Sequence, residues 1–262
     1  MNIIGVNGYN GFIAKNFLFN FKTKYKIIHY KLDINNIRLF KKFVNTNNFT
    51  HFIHFAGLSR KKCMLDKNLC LQTNFLSIKK IIDFLNTLKS KPIFIFISSS
   101  HIYGHSKNKL KETSKANPKD LYAQLKLKSE NYIKKNYKNY CILRVFNVYG
   151  KNQPSGFFVP DIISKINNNE IITINKSIRD FVHVNEVSKI IDFIIKKKIL
   201  TTINVGSGRG LTLRYVVNTI AKYIGLKPLI LENLESNKIV ANTSLLKSFG
   251  YKQNKNAKHF NI

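Results

Sequence analysis

Cysteine is scarce in this chain of 262 residues, which contains only Cys63, Cys70 and Cys141. The number is odd, and the three positions do not have the spacing of metal ligands, so we expect no bound metal. Free thiols buried in a reducing compartment explain such cysteines most simply. We therefore predict a cytoplasmic protein with three unpaired thiols.

Long apolar runs are also absent. No stretch approaches the roughly 20 apolar residues that a membrane-spanning helix needs, so we expect no membrane insertion. The residues after Met1 lack the basic and apolar regions of a signal peptide. Hydrophobic residues make up 44% of the chain, which is ordinary for a globular core and too high for a disordered chain.

Acidic residues are few: 13 Asp and Glu stand against 44 Lys and Arg, and the formal net charge is +31. A positive field of this size attracts polyanions, of which nucleic acid is the obvious one. The excess is mostly Lys, however, and it is spread along the whole chain together with abundant Asn, Ile, Phe and Tyr. This pattern favours a coding bias over a nucleic-acid surface, although a negatively charged substrate would still benefit from the field.

Short apolar runs alternate with amphipathic segments over residues 1–150, which predicts βαβ units, a doubly wound parallel sheet and an α/β fold. Parallel strands are buried on both faces, and this explains why the run "PIFIFIS" is apolar throughout. The predicted strands are Asn2–Val6, Lys26–Tyr30, His51–Phe55, Ile93–Ile97 and Tyr140–Val145. The predicted helices are Phe12–Phe21, Ile37–Val44, Asn74–Leu88 and Leu121–Lys135.

After Gly150 the pattern loosens, and we expect residues 151–262 to form a smaller C-terminal lobe that is partly interleaved with the first domain. Helices are predicted at Val159–Ile166, Val187–Ile195 and Leu213–Ile224. A further strand is predicted at Thr202–Val205, directly before a glycine-rich turn.

A glycine turn lies between the first predicted strand and the first predicted helix. Glycines there allow the backbone to approach a pyrophosphate, and the helix that follows offers free N–H groups. The spacing differs from the usual dinucleotide motif, but the position at the end of the first strand predicts a Rossmann-type domain that binds NAD or NADP over residues 1–150. The turn supplies Gly5, Gly8, Tyr9, Asn10 and Gly11.

The choice between NAD and NADP stays open. An acidic residue about 20 positions after the turn would hold the adenosine ribose of NAD. The second predicted strand instead ends in Tyr30 and Lys31. Lys31 is a candidate for the 2′-phosphate of NADP, and Asp33 for the ribose or the adenine amine.

Hydroxyl groups follow the fourth strand, at Ser98, Ser99 and Ser100, where open α/β sheets bind their ligands. About 20 residues later, Tyr122 and Lys126 lie four apart in a predicted helix and therefore share one face. We expect the Lys126 ammonium to lower the pKa of the Tyr122 phenol, because a nearby cation favours the phenolate. Such a phenol can exchange a proton with a sugar hydroxyl while hydride moves to or from the cofactor.

These features together resemble the extended short-chain dehydrogenase/reductase family, in its nucleotide-sugar epimerase, dehydratase and reductase branch. The resemblance extends over nearly the whole chain. The segments that carry it are "GVNGYNGFIA", "HFIHFAGLS", "QTNFLSIKKIIDFL", "FISSSHIYG", "YAQLKLKSE", "LRVFNVYG", "RDFVHVNEV" and "INVGSGRGLTL".

The resemblance implies a catalytic set of Ser99, Tyr122 and Lys126, in which Ser99 binds the reacting sugar oxygen, Tyr122 is the acid and base, and Lys126 binds the nicotinamide ribose. It also implies that the cofactor is lined by Phe55, Ala56 and Gly57 and supported by Asn74. The substrate residues that it implies are Ser99, Ser100, His101, Asn147 and Arg179.

The resemblance further implies a nucleotide-diphosphate sugar as substrate and a homodimer as the assembly. A guanidinium such as that of Arg179 suits a diphosphate, because it forms two parallel hydrogen bonds. His183 is interpreted as a packing histidine on a strand. Relatives often carry a second arginine near the C-terminal helix, whereas the matching stretch here has only Lys238.

Three functions remain open. Relatives that dehydrate their substrate carry Asp-Glu where this chain has Ser100 and His101, which disfavours dehydration. The segment "HFAGLS" favours a 4-epimerase, while the missing ribose carboxylate and the short second lobe suit a 4-ketosugar reductase. The alternative from another class is a non-catalytic Rossmann module that binds nucleotide or RNA.

Overall fold

The computed structural model describes residues 2–253. Strands and helices alternate in the first half of the chain. In order they are β1 (Ile3–Asn7), α1 (Phe12–Phe21), β2 (Lys26–His29), α2 (Ile37–Asn45), β3 (His51–His54), α3 (Arg60–Leu65), α4 (Lys67–Leu71), a π-helical turn (Gln72–Leu76), α5 (Ser77–Asn86), β4 (Ile93–Ser99), a 3₁₀ turn (Ser100–Tyr103), α6 (Leu121–Asn136) and β5 (Tyr140–Val145).

The second half contains shorter strands and four helices. In order they are β6 (Asn147–Tyr149), α7 (Phe158–Asn167), β7 (Ile171–Asn175), β8 (Ile178–Arg179), β9 (Phe181–His183), α8 (Val184–Lys197), β10 (Thr202–Val205), β11 (Leu211–Thr212), α9 (Leu213–Ile224), β12 (Leu229–Asn233), β13 (Lys238–Ile239) and α10 (Ser244–Ser248).

The central sheet has six parallel strands in the order β2-β1-β3-β4-β5-β10. Helices cover both faces of this sheet, so the predicted α/β fold with a doubly wound parallel sheet is confirmed. The six strands lie within two residues of the positions predicted from the sequence. Among the described residues, no helix has the length and apolar character that crossing a bilayer requires.

Successive residues of β4 pack against opposite helical layers, because side chains alternate across a strand. Ile95 and Ile97 belong to the core formed with α1 and α8. Phe94 and Phe96 belong to the core formed with α2, α5 and α6. A strand buried on both faces has no polar side to show, which is why this segment is apolar throughout.

The chain reverses its direction of winding at β1. This strand pairs with β2 on one side and with β3 on the other. In open α/β sheets, ligands bind in the crevice outside the carboxyl ends of the strands at such a switch point. The fold therefore places the glycine turn, which follows β1, and the segment after β3 on the two sides of one crevice.

The second half of the chain builds a smaller core from α7, α9 and the strands around them. Its strands form three small groups: β6 with β9, β7 with β12, and β8 with β11 and β13. By contrast, α8 packs on the central sheet and β10 forms its sixth strand. The domain boundary at residue 150 stays a prediction, and residues 254–262 of the predicted lobe lie outside the described range.

Two expectations from the sequence are wrong in detail. The single helix predicted over Asn74–Leu88 is interrupted, because residues 72–76 form a π-helical turn before α5 begins. The prediction of three free thiols holds only for Cys141, which is buried. Cys63 and Cys70 form a disulfide, because the chain turns back between α3 and α4 and brings their Cα atoms within 4.9 Å.

Candidate active site

The glycine turn closes against the segment that follows β3. Gly8 has a φ of 64°, and a Cβ atom there would lie 2.3 Å from the backbone nitrogen of Ala56. Only glycine fits this position, on grounds of both backbone conformation and space. Gly11 precedes α1, whose first turn has neither a side-chain cap nor an acidic residue. The N–H groups of α1 are thus available to an anion, as the pyrophosphate of a dinucleotide requires.

The other residues predicted for the turn are not equally placed. Gly5 lies inside β1, where a Cβ atom would lie 2.5 Å from the Phe52 ring, so its small size serves packing of the core. Tyr9 stacks on His29 at the end of β2, with the ring centroids 5.5 Å apart. Asn10 is exposed. The structure therefore brings Gly8, Tyr9, Asn10 and Gly11 to the open turn, but not Gly5.

Asn7 holds the two sides of the crevice together, and sequence reasoning missed it. Its side-chain nitrogen lies 2.8 Å from Nδ1 of His54, and its Oδ1 accepts a hydrogen bond from the backbone N–H of Ala56. Both side chains are buried. A polar residue at the end of a buried strand is the signal that indicates such a role.

The predicted cofactor-lining segment after β3 opens towards the crevice. Phe55 and Ala56 are half-buried, and Gly57 is exposed. Asn74, in the π-helical turn, supports this segment from behind: its Oδ1 accepts the N–H of Leu58, and its Nδ2 donates to the Leu58 carbonyl. A Cβ atom on Gly57 would lie 3.3 Å from Oδ1 of Asn74.

Lys31 and Asp33 follow β2 and are both exposed. The Asp33 carboxylate accepts hydrogen bonds from the backbone and the side chain of Asn35, which closes a local turn. No carboxylate lies within β2 itself, whose sequence is KIIH. The end of this strand therefore keeps both cofactor alternatives open.

Ser99 is the last residue of β4 and is buried. Its hydroxyl accepts the N–H of His101 and so caps the 3₁₀ turn that carries Ser100 and His101. Ser100, the first residue of this turn, is buried, whereas His101 is half-buried. The His101 ring meets the Tyr122 ring edge to face, with centroids 6.1 Å apart. The strand end and the start of α6 therefore face each other.

Tyr122 and Lys126 share the inner face of α6, as their spacing predicts. The Nζ atom of Lys126 lies 6.0 Å from the centre of the Tyr122 ring and 4.8 Å from the centre of the Phe96 ring. A Cβ atom on Gly57 would lie 3.5 Å from this nitrogen. The glycine turn contacts Ala56, and Gly57 contacts Lys126, so the tyrosine–lysine pair lies on the same edge of the sheet as the glycine turn.

The expected lowering of the Tyr122 pKa does not occur in this structure. Burial raises the pKa of the phenol, and this effect outweighs the lowering by its hydrogen bond with Ser99. Lys126 does not offset the burial, because its Nζ donates to the Ile97 carbonyl at 2.8 Å rather than to the phenol. The raised pKa favours the protonated form of Tyr122.

The ammonium of Lys126 lies in an apolar, largely closed environment, with only 6% of the residue exposed. Burial lowers its pKa to about 8, and the charge of Glu130 opposes this effect. Burial, together with the charge of Lys126, also lowers the pKa of His54 to about 3, so this histidine is neutral. The Lys126 ammonium therefore lies beside a neutral histidine.

Arg179 and Asn147 lie where the second half of the chain meets the central sheet. One guanidinium nitrogen of Arg179 donates to the carbonyls of Ile178 and Asn237, and no carboxylate among the described residues forms an ion pair with it. Burial lowers its pKa. The side chain of Asn147 donates to the Asp180 carbonyl and is half-buried.

A charged pair just before α6, formed by Arg60 and Asp120, was not predicted from the sequence. Asp120 caps α6 by accepting the N–H of Ala123, and its other carboxylate oxygen accepts from Arg60 at 2.6 Å. The charges of Asp120, Arg60 and Arg179 all act on His101, whose pKa is lowered chiefly by burial. An aspartate directly before a helix is the sequence signal for the cap.

His183 ends β9, as expected for a strand histidine, and its Nδ1 also accepts the N–H of Asn185 at the start of α8.

Residues 6–206 match the NAD-dependent epimerase/dehydratase family. This match covers well over half of the chain, and the chain belongs to that family. The resemblance found in the sequence is thereby confirmed, as is the expectation of a nicotinamide dinucleotide, without a choice between NAD and NADP. The glycine turn and the uncapped start of α1 fit such a group.

Individual relatives are distant. Over 225 residues the chain is 26% identical to GDP-6-deoxy-D-talose 4-dehydrogenase of Aggregatibacter actinomycetemcomitans. The match covers 78% of this chain and 74% of that protein. Two further curated relatives match over 46% and 45% of their lengths, so the chain spans about half of them.

Solved structures share the fold at low identity. UDP-glucose 4-epimerase of Thermus thermophilus, in complex with NAD, superimposes with a TM-score of 0.85 at 20% identity over 96% of this chain and 94% of that one. dTDP-4-dehydrorhamnose reductase of Bacillus anthracis, in complex with NADP, gives a TM-score of 0.85 at 19% identity over 97% and 95%.

Proposed function

We propose that the protein is an NAD(P)-dependent nucleotide-sugar 4-epimerase. The observation that carries the proposal is the convergence of Ser99, Tyr122 and Lys126 beside the crevice that the glycine turn and Gly57 form. Three side chains from a strand end and a facing helix are all that hydride and proton transfer at one carbon requires of the protein.

The chain's own residues would hold the cofactor across the switch point. The N–H groups at the start of α1 suit the pyrophosphate, and Ala56 and Gly57 lie along the path to Lys126. The Lys126 ammonium suits the nicotinamide ribose hydroxyls. When bound, the dinucleotide supplies the hydride acceptor and donor.

Proton transfer falls to Tyr122. The Ser99 hydroxyl fixes the sugar oxygen by a hydrogen bond, and the Tyr122 phenol takes the proton from that oxygen or returns it. Burial raises the pKa of Tyr122, so the phenol becomes a base only when further positive charge lies close to it. The Lys126 ammonium, which a backbone carbonyl of β4 holds in place, contributes part of that charge.

The proposed substrate is a sugar linked to a nucleoside diphosphate. Arg179 forms no ion pair among the described residues, so its guanidinium is available to a diphosphate, with which it can form two parallel hydrogen bonds. The relatives named above act on UDP-, GDP- and dTDP-linked sugars. We propose the same class here, without a choice of base or sugar.

A 4-ketosugar reductase is the second candidate, and one observation favours it. The end of β2 carries no carboxylate, and the nearest one, Asp33, is bound to Asn35. This suits NADP, which a reductase exchanges in every cycle, better than a permanently held NAD.

The distribution of lysines argues against a nucleic-acid module. Exposed lysines lie on α1 and α8 on one side of the sheet and on α2, α5 and α6 on the other. The exposed lysines therefore do not form the single basic stripe that a nucleic-acid surface needs. The homodimer expected by resemblance stays a prediction.

The deciding experiment incubates the protein with UDP-, GDP- and dTDP-sugars and with 4-ketosugars, and identifies the products by NMR. An epimerase interconverts C4 epimers without net use of cofactor. A reductase consumes one NAD(P)H for each 4-ketosugar. No turnover of any member of the panel, with cofactor bound, would contradict both candidates.

A further inference from the structure

A buried carboxylate lies behind the site, and the proton and hydride transfers described above do not use it. Glu130 follows Lys126 by one helical turn on α6 and is 0% exposed. Residues at positions i, i+4 and i+8 share a face of a helix. Tyr122, Lys126 and Glu130 therefore form one row that faces the sheet.

Glu130 links this helix to the strand that carries Ser99. The hydroxyl of Ser98 donates to Oε1 of Glu130 at 2.5 Å. Arg144, which is paired with Ser98 in the register of β4 and β5, donates to both carboxylate oxygens at 2.7–3.1 Å. A carboxylate that accepts charged and neutral donors from two strands fixes the helix against both.

The network continues to the loop that connects the two halves of the site. Arg144 also donates to the hydroxyl of Tyr103 and to the carbonyl of Glu112. Tyr103 donates in turn to Asn204 on β10, whose backbone N–H is bound by the Glu112 side chain. The 3₁₀ turn, the loop before α6 and the end of the central sheet are thus fixed to one buried ion pair.

Glu130 also affects Lys126 electrostatically. The Lys126 ammonium meets the neutral His54 from β3, the Phe96 ring and the Ile97 carbonyl from β4, and Gly57 beside Asn74. On α6 itself it meets Tyr122 and Glu130. Among the described residues, Glu130 is the carboxylate whose charge opposes the effect of burial on Lys126.

We propose that Glu130 is a positioning residue for the reaction: through Ser98 it holds the Ser99 end of β4 against α6, and its negative charge stabilises the ammonium of Lys126 one helical turn away. This inference rests on the proposed function, since it takes Ser99, Tyr122 and Lys126 as the reacting set. Glu130 itself touches neither substrate nor cofactor. Its effect is transmitted by Ser98, whose hydroxyl it binds, and by its charge, which acts on Lys126.

The test is the pH dependence of kcat in Glu130→Gln, which keeps the shape of the side chain and removes its charge. Because Lys126 then loses the opposing carboxylate, the alkaline limb of the profile moves to lower pH by about one unit. Glu186→Gln is the matched control, because Glu186 is also buried but binds Tyr251 on the other side of the sheet. It keeps the wild-type profile.

Glu130→Gln leaves Arg144 without its ion-pair partner, and a single buried charge strongly destabilises the fold of that variant. The double variant Glu130→Gln/Arg144→Met removes both charges and shows the same shift of the limb. Ser98→Ala removes only the link to β4: kcat falls about tenfold, because small displacements of reacting groups are costly, and the profile keeps its shape.

The inference is overturned if a folded Glu130 variant keeps the wild-type alkaline limb of the pH profile of kcat. It is also overturned if Ser98→Ala keeps the wild-type kcat. Where neither Glu130 variant folds, Ser98→Ala alone decides by the same criterion. The result is separable from the proposed function by Tyr122→Phe in the same assay. If that variant is inactive while Glu130→Gln behaves as wild type, only the positioning role is rejected.

Discussion

Tyr122 and Lys126 share one face of α6, but the ammonium is anchored elsewhere: its Nζ lies 6.0 Å from the centre of the phenol ring and donates to the carbonyl of Ile97. The sheet, rather than the tyrosine, therefore fixes the position of the charge. The phenol remains free to meet the Ser99 hydroxyl and a substrate oxygen. In the proposed mechanism, this division keeps the cation in place while Tyr122 gains and loses its proton.

Replacement of Tyr122 by phenylalanine is expected to abolish turnover and to leave cofactor binding nearly unchanged. The variant lacks the hydroxyl that we propose exchanges a proton with the substrate, while the ring still packs against His101. Loss of general acid–base catalysis costs about 10²–10⁴-fold in rate. Product formation by NMR and cofactor affinity by NAD(P)H fluorescence measure the two effects.

Tyr223→Phe is the matched control, because Tyr223 precedes a lysine at the same spacing but is 66% exposed on α9. It should turn over substrate at the wild-type rate. Activity in Tyr122→Phe would show that another group is the acid and base.

The alkaline limb of the activity profile should reflect Lys126. Burial lowers its pKa from 10.5 to about 8, so the ammonium is present below that pH and lost above it. Because the reaction needs this charge, kcat should fall as the pH rises through about 8. Lys126→Arg carries a guanidinium that does not titrate in this range, and its residual activity should lack the limb. A wild-type kcat that stays constant up to the pH where ordinary lysines titrate would contradict the assignment.

The sequence predicted most of the central sheet, because its strands are short apolar runs separated by amphipathic helices. β4 is the clearest case: both faces of Ile93–Ile97 are apolar, and the strand is buried on both. Apart from β10 and the strand that carries His183, the short strands of the second half were not predicted. β8 and β13 have two residues each, too few for a period of two to be visible, and they depend on pairing with distant segments.

The site was predicted where one element supplies neighbouring residues and missed where several elements meet. Tyr122 and Lys126 follow from the helical period. The contacts of Asn7 with His54, of Glu130 with Ser98 and of Arg60 with Asp120 join residues 32–60 positions apart, which no local pattern reveals. The disulfide was missed for a different reason: its cysteines are separated by only seven positions, and the turn between α3 and α4 that brings them together was not predicted.

Gly8→Ala should destroy cofactor binding. The added methyl group would lie 2.3 Å from the Ala56 nitrogen, and the φ of 64° is strained for any other residue. The crevice must open to admit the methyl group, which displaces the backbone that would bind the dinucleotide. NAD(P)H fluorescence titration measures the loss.

Gly225→Ala is the matched control, because it introduces backbone strain without a steric clash. Gly225 has a φ of 83°, but nothing lies within 4 Å of a Cβ atom there. It should lose about 1 kcal/mol of stability and keep its affinity for cofactor. Equal affinities in both alanine variants would show that the turn does not hold the dinucleotide.

Asp180→Asn should destabilise the junction between the two halves of the chain. The buried carboxylate accepts the N–H and hydroxyl of Ser207 on one oxygen and the N–H groups of Gly208 and Ala241 on the other. An amide would place its own NH₂ group against two of these donors, and Asp180 is 0% exposed. The free energy of unfolding should fall by about 3 kcal/mol, measured by urea denaturation. Asp161→Asn, whose carboxylate accepts the N–H of Gly156 near the surface, should cost about 1 kcal/mol or less, and an equal loss in both variants would mean that burial of Asp180 contributes nothing.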